Sequence, residues 1–527
     1  MSKSLKDIGL VAGFTVVSRV LGLVREIATA AVFGTSALNS AFVSAFTLPN
    51  LFRRLLGEGA LTSAFVPTLA HELEHQRREG AFRLVSKVAS WLLVVTTAVV
   101  AAAILVLLQA DGLVAAAERL GVSPETGRRL VLGADLAVVL FPYMVFVCLA
   151  AAFSAACQVL GRFAEPALSP LWLNVVILAA LGLGAWWAWD EPARMGLLCG
   201  AVLLGGFLQM AVPASVLWRE GWRPAFDLRP DDRVREILRL MGPTVVGSAI
   251  YLVNIAVSRF LGLSLNDSAA AVLNLATRVM ELPIGVFTLA VATVVFPLIA
   301  RHAARGEWGE LAAAYHRGLR LILVVAVPAA AGLVVLSEPI TRLLFERGAF
   351  QARDTALMTP VLAAYALGLP FVAFTSLALR GFYALRDTAT PVRAAGLSFV
   401  VNLGLSLLLM GPLSTVGLAL ASSAAVVVQA CYLQVHLARR QDGFALVGLR
   451  PALVKIAAAT VAMGAFAAAA DRGVAALGLP GKAADWAVVL GVIPAAVALY
   501  GTVLWRLRVE GREEVAAVLA KLRARLG

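Results

Sequence analysis

Four arginines stand inside one apolar stretch, SRVLGLVREIATAAVFGTSALNSAFVSAFTLPNLFRRLLGEG, residues 18 to 59. They are Arg19, Arg25, Arg53 and Arg54, and only Glu26 and Glu58 are there to oppose them. A guanidinium stays charged at any physiological pH and presents a planar fork of donors that matches the paired oxygens of a phosphate. The chemistry this pattern offers is anion binding rather than proton transfer. An arginine at the centre of a bilayer costs roughly 2.5–3.5 kcal/mol on insertion scales, so such residues face a wet cavity or a partner.

The elements that must position them are membrane spans. Of 527 residues, 60% are hydrophobic and 15% charged, and the mean hydropathy of +0.86 lies outside the range of soluble proteins. The fold class is therefore an all-α polytopic membrane protein. Runs of about 20 apolar residues mark single spans. Fourteen are expected, near 8–33, 40–70, 86–108, 131–157, 167–188, 195–217, 238–262, 268–300, 318–336, 356–384, 391–411, 415–437, 451–470 and 485–505. Gly57, Gly59 and Pro283 are expected kinks in the two long spans. The first run is too long, and carries too much charge, for a signal peptide, and is read as a retained span.

Topology accounts for most of the basic residues. If the N-terminus is cytoplasmic, 30 of the 45 Lys and Arg fall in inside segments and nine in outside loops, which sets both termini in the cytoplasm. Six remain: Arg19, Arg25, Arg53, Arg54, Arg259 and Arg278. The net charge of +13 is spread over many short loops, so no nucleic acid is expected as partner.

Paired landmarks reveal an internal repeat. Pro67 matches Pro297, Pro142 matches Pro370, Arg162 matches Arg386, Pro166 matches Pro391 and Asn174 matches Asn402. Six spans duplicated give two parallel lobes, because an even number preserves orientation. The expected organisation is an N-lobe at 1–220, a cytoplasmic linker and C-lobe at 221–440, and an extra pair of spans with a tail at 441–527. The tail VEGREEVAAVLAKLRARLG reads as an amphipathic helix on the inner surface.

Three carboxylates lie well within the spans, Glu26, Glu58 and Glu281, against six arginines. The cavity is thus expected to attract an anion, with Arg54 and Glu58 (i, i+4) and Arg278 and Glu281 (i, i+3) able to meet on one helix face. Glu26 is expected to orient a nearby arginine. The five histidines fall in or beside cytoplasmic segments, and no Walker loop or clustered acidic motif is present, so neither a cofactor nor a metal is called for. Cys148, Cys157, Cys199 and Cys431 have no paired spacing and read as small core residues.

At this point SRVLGLVREIATAAVFG, AFVSAFTLPNLFRRLLGEGALTSAFVPTLA and RVMELPIGVFTLAVATVVFPLIA closely resemble the bacterial MurJ (MviN) lipid II flippases of the multidrug/oligosaccharidyl-lipid/polysaccharide exporter superfamily. The resemblance implies a V-shaped, two-lobed transporter of the bacterial cytoplasmic membrane, not an enzyme. It also implies a groove in the last two spans for a polyprenyl tail. By motif, Arg19, Arg25, Arg53 and Arg278 match the family's cavity arginines, and Glu26, Glu58 and Glu281 its glutamates. Ser40 and Thr277 stand where many members carry Asp, which leaves this cavity more positive. The expected substrate is lipid II, with another polyprenyl-diphosphate-linked glycan as alternative, and the expected state is a monomer among membrane lipids.

Overall fold

The computed structural model describes residues 3–55, 61–229, 231–290, 295–440 and 442–508. Among them every regular element is helical. The chain opens with α1 (Lys3–Phe33), α2 (Ala37–Leu55), α3 (Leu61–His75), α4 (Arg77–Leu107), α5 (Ala110–Arg119), α6 (Pro124–Leu140), α7 (Tyr143–Val159), α8 (Ala164–Trp186), α9 (Glu191–Arg219) and α10 (Asp232–Leu265). It continues with α11 (Ala269–Ala290), α12 (Phe296–Arg305), α13 (Trp308–Val335), α14 (Ser337–Phe345), α15 (Ala352–Ala384), α16 (Ala389–Arg440), α17 (Arg450–Ala476), α18 (Ala483–Ala487) and α19 (Ile493–Arg506). Eight helices among the described residues are long and apolar enough to cross a membrane, and the bent pair α6 and α7 makes a ninth.

Several boundaries differ from the expected runs, each for a local reason. The run 131–157 is two helices bent by 44°, because Pro142 lacks an N–H and its ring crowds the carbonyl four residues back. α16 is broken at Ser414, whose φ of 50° and ψ of −134° are not helical, so its two parts correspond to the two runs read there. α5, with no buried residue, and α14, with five of its nine residues buried, are short helices that hydropathy did not separate. Pro283 lies inside α11. Gly57, Gly59, Glu58 and the tail beyond residue 508 lie outside the described residues.

By packing, the chain divides into two compact units, Met1–Ala271 with Arg347–Phe350, and Val272–Glu346 with Gln351–Gly527. The first unit is held by small residues that let helices approach closely, the usual device where lipid removes the hydrophobic drive. A Cβ on Gly205 would meet Leu173 Cδ1 at 2.8 Å, and one on Gly206 would meet the Tyr143 ring at 2.5 Å. In the second unit Gly368 lies against Ser423 in the same way, and the Ser423 hydroxyl donates to the Ala364 carbonyl at 2.8 Å. Cys148, Cys157 and Cys199 are buried as expected of core residues, whereas Cys431 is exposed. It sits on an outward face of α16, a position that apolar sequence context does not distinguish from the core.

Local motifs recur between the units. α7 ends in a Schellman turn in which Gly161 N–H reaches Gln158 O and Arg162 N–H reaches Cys157 O, and α15 ends with Arg386 N–H on Tyr383 O and Asp387 N–H on Phe382 O. The left-handed residue is Gly161 in one and Arg386 in the other. Structurally, then, Arg162 pairs with Asp387 rather than with Arg386. Each unit also buries a tyrosine donating to a glutamine side chain, Tyr143 to Gln209 and Tyr315 to Gln434, both at 3.1 Å.

Candidate anion site and apolar groove

In the first unit α1 packs along α8 and α2 packs along α6, α7 and α10. Arg19 is exposed on α1, and no carboxylate among the described residues pairs with it. One residue before it, the Ser18 carbonyl accepts a hydrogen bond from the buried Asn174 of α8, at 3.4 Å. Arg25 lies deeper and its Nη2 donates to Glu26 Oε1 at 2.5 Å, with side-chain exposures of 14% and 10%. Glu26 therefore does meet an arginine, its own neighbour in sequence.

Arg53 and Arg54 lie on α2, but their side chains, like Glu58, fall outside the described residues, and so does the expected Arg54 and Glu58 pair. Arg259 on α10 donates from Nη1 to the Ala270 carbonyl at 3.4 Å. Arg278 and Glu281, on α11 in the second unit, form the i, i+3 pair at 2.9 Å and remain partly exposed at 28% and 42%.

Three features were not anticipated. Ser40, fully buried on α2, accepts from the Ala271 N–H at 3.3 Å, and so caps the start of α11, where the first turn has no intrahelical acceptors. Arg129, 6% exposed on α6, donates to the carbonyls of Leu263 and Ser264 at the end of α10 and meets Asp267 at 3.3 Å. It satisfies the orphan carbonyls there, where a cation also suits the helix dipole. Sequence offered one signal for this role, an arginine opening a span, and counted it as a loop charge.

The third is a groove in the second unit, about 940 Å³, bounded by α11, α13, α14, α17 and α19. Leu282, Val325, Pro328, Ala467, Ala496 and Val497 make its walls apolar, while Arg317, Arg320 and Trp505 line it toward the start of α13 and the end of α19. Tyr500 anchors α19 to α13 by donating to the Val324 carbonyl at 2.8 Å.

Outside the spans, charge is locked in pairs. Arg162 bonds Glu220 at 2.6 Å, and that hydrogen bond holds the Glu220 carboxyl below the usual carboxylate range. Asp387 meets Arg440 at 2.6 Å. Burial pushes its carboxyl up, but the Thr390 hydroxyl and N–H together with Arg440 outweigh that and keep it low.

A family model described as "Lipid II flippase MurJ" matches residues 29–483. The chain belongs to the MurJ family. Among relatives, a probable lipid II flippase MurJ of Rhizobium meliloti is 35% identical over 430 residues, covering 81% of this chain and 79% of the relative. The lipid II flippase MurJ of Burkholderia cenocepacia is 31% identical over 395 residues, covering 73% and 74%. A solved MurJ structure in an inward closed conformation shares the fold with a TM-score of 0.76 at 24% identity, covering 94% of this chain and 99% of that one. A MATE multidrug transporter of the MOP superfamily, inward-facing, follows at 0.66 and 14% identity, covering 81% and 95%. The MurJ relatives are named as flippases, which are transporters and not enzymes. The family match begins at residue 29, after Arg19, Arg25 and Glu26, so those three stand on the motif and on their own geometry.

Proposed function

We propose that this protein is a lipid II flippase of the bacterial cytoplasmic membrane, carrying the precursor's head group from the inner to the outer leaflet by alternating access. Both termini are then cytoplasmic, fourteen spans form two six-span lobes plus an extra pair, and the chain acts alone. The diphosphate enters a cytoplasm-facing cavity where Arg19, Arg25 and Arg53 hold it, and Arg278 adds a contact from the second lobe. Arg54, Glu58, Arg259 and Glu281 balance charge around them.

The observation that carries this reading is the uneven state of the arginines within a shown lipid-flippase family. Arg25 and Arg278 each have an acidic neighbour, while Arg19 is exposed on α1 with no carboxylate at hand among the described residues. An anion bound there relieves repulsion among like charges in the occupied state, which is the differential interaction any ligand-driven switch requires. The apolar groove of the second unit suits the polyprenyl tail, since its walls are aliphatic and its arginines lie toward one end only.

The test is depletion of the endogenous flippase followed by rescue, with lipid II exposure at the outer leaflet as readout. Wild type restores exposure. Arg19→Ala, Arg25→Ala, Arg53→Ala and Arg278→Ala, at equal abundance, lower it at least tenfold. Equal rescue by these variants would remove the anion clamp from the mechanism.

A further inference from the structure

Among the described residues, Arg317 and Arg320 are the only charged side chains that line the groove of the second unit, and no Asp or Glu lines it with them. They stand i, i+3 on α13 and so share one helix face, with Cβ atoms roughly 5–6 Å apart. Two guanidiniums at that spacing present two donor forks to a single phosphate or diphosphate. Trp505 of α19 lines the groove as well, an amphipathic ring of the kind that settles at head-group depth. At the same ends of the neighbouring helices, Lys455 of α17 donates to the Arg508 carbonyl at 3.2 Å and Arg506 closes α19. This end of the groove is therefore ringed by positive charge.

The groove is also long. From Arg317 to Leu333, both in its lining, α13 rises ~24 Å at ~1.5 Å per residue. One leaflet is roughly 15 Å deep, half of a ~30 Å hydrocarbon core. A phospholipid acyl chain ends near the midplane, whereas a chain that fills this groove continues well into the far leaflet. Above Arg320 the walls are Leu321, Val325 and Pro328 on α13 with Ala496 and Val497 across from them. The one hydroxyl among the lining side chains, that of Tyr500, is already donated to the Val324 carbonyl, so nothing polar interrupts the apolar path.

We propose that Arg317 and Arg320 form a second anion site, which takes the phosphate or diphosphate head of a long-chain prenyl lipid in its inner-leaflet orientation, with the chain running up the groove. The precursor is loaded here, chain seated first, before its head group leaves for the cavity arginines. A phospholipid satisfies the two arginines but leaves the upper groove unfilled; a long prenyl phosphate fills both. The inference rests on the flippase reading for what the lipid carries, and on the charge census for which end of α13 is internal.

The test uses the full chain carrying Arg19→Ala, Arg25→Ala, Arg53→Ala and Arg278→Ala, which removes the proposed cavity clamp, in phosphatidylcholine nanodiscs titrated with undecaprenyl phosphate. This protein should bind the lipid, and adding Arg317→Gln with Arg320→Gln should weaken binding at least tenfold while uncharged undecaprenol binds as before. Farnesyl phosphate, too short for the groove, should bind at least tenfold more weakly than undecaprenyl phosphate, and neither phosphatidylglycerol nor inorganic phosphate should displace the long lipid. Undiminished binding by the glutamine variant means that the arginines merely reach water, and overturns the site. A parallel loss of undecaprenol binding overturns it too, because the arginines then only shape the groove. Equally tight farnesyl phosphate, or displacement by phosphatidylglycerol or inorganic phosphate, overturns the assignment to a long prenyl chain. If the unmutated chain restores no lipid II exposure, it is the flippase reading that fails, and these titrations still decide the site.

Discussion

Glu26 neutralises Arg25 at 2.5 Å in a largely buried setting, so the anion-binding strength of α1 depends on how much positive charge its own glutamate removes. Glu26→Gln should tighten binding of inorganic diphosphate to the purified protein about fivefold, roughly 1 kcal/mol for one charge several ångströms away in a partly wet cavity. Isothermal titration checks this, and no gain would mean that Glu26 serves only to position Arg25. The pair of Arg162 with Glu220 makes a prediction about pH. The folded-state carboxyl of Glu220 is depressed by Arg162, so the stabilisation it lends is present above the unfolded carboxylate pKa and is lost as pH falls through the lower folded value. The gap in thermal midpoint between wild type and Glu220→Gln should therefore be constant near neutrality and close only under acid conditions, below the ordinary carboxylate range.

At the scale of elements, the closest approach of α8 to α9 in the first unit runs through a glycine, beside a core of large apolar side chains such as Leu140, Tyr143 and Ile177. Leu173 of α8 lies where a Gly205 side chain would go, and one of the nearby atoms is the Leu173 Cα itself at 3.0 Å, which a rotamer change cannot move. Gly205→Leu should cost about 1–3 kcal/mol through overpacking. Its measure is a lower thermal midpoint in detergent with the rest of the chain unchanged. Wild-type stability would mean that α8 and α9 are free to separate at this point. Pro142 and Ser414 act at the same scale, one breaking an expected span and the other separating two spans, and both work through the backbone.

For the whole molecule, the groove of the second unit is the feature most open to a clean test. Gly332 lines it and has open space where a Cβ would stand, so Gly332→Phe fills the groove without forcing the helices apart. Rescue should fall several-fold with the long natural prenyl chain, while binding of inorganic diphosphate stays unchanged. Equal rescue would take the tail out of the groove.

The sequence by itself determined the all-helical membrane class, where most of the long apolar helices lie though not their exact ends, and one of the two ion pairs expected from spacing, Arg278 with Glu281. These are local or additive properties, since hydropathy sums over a window and an i, i+3 contact follows from the helix repeat. The family likeness was equally readable, carried by contiguous motifs in the first two spans. Only the tertiary structure decided the partners of the remaining polar groups. Ser40 caps a helix 231 residues further along, Arg129 closes the end of α10, and the Ala31 carbonyl finds an N–H in a turn more than 300 residues away. The groove belongs with these, because its walls come from five helices scattered between Leu282 and Trp505. Side-chain periodicity reaches about one helical turn, and what lies across from a helix is chosen by the packing of every other helix at once.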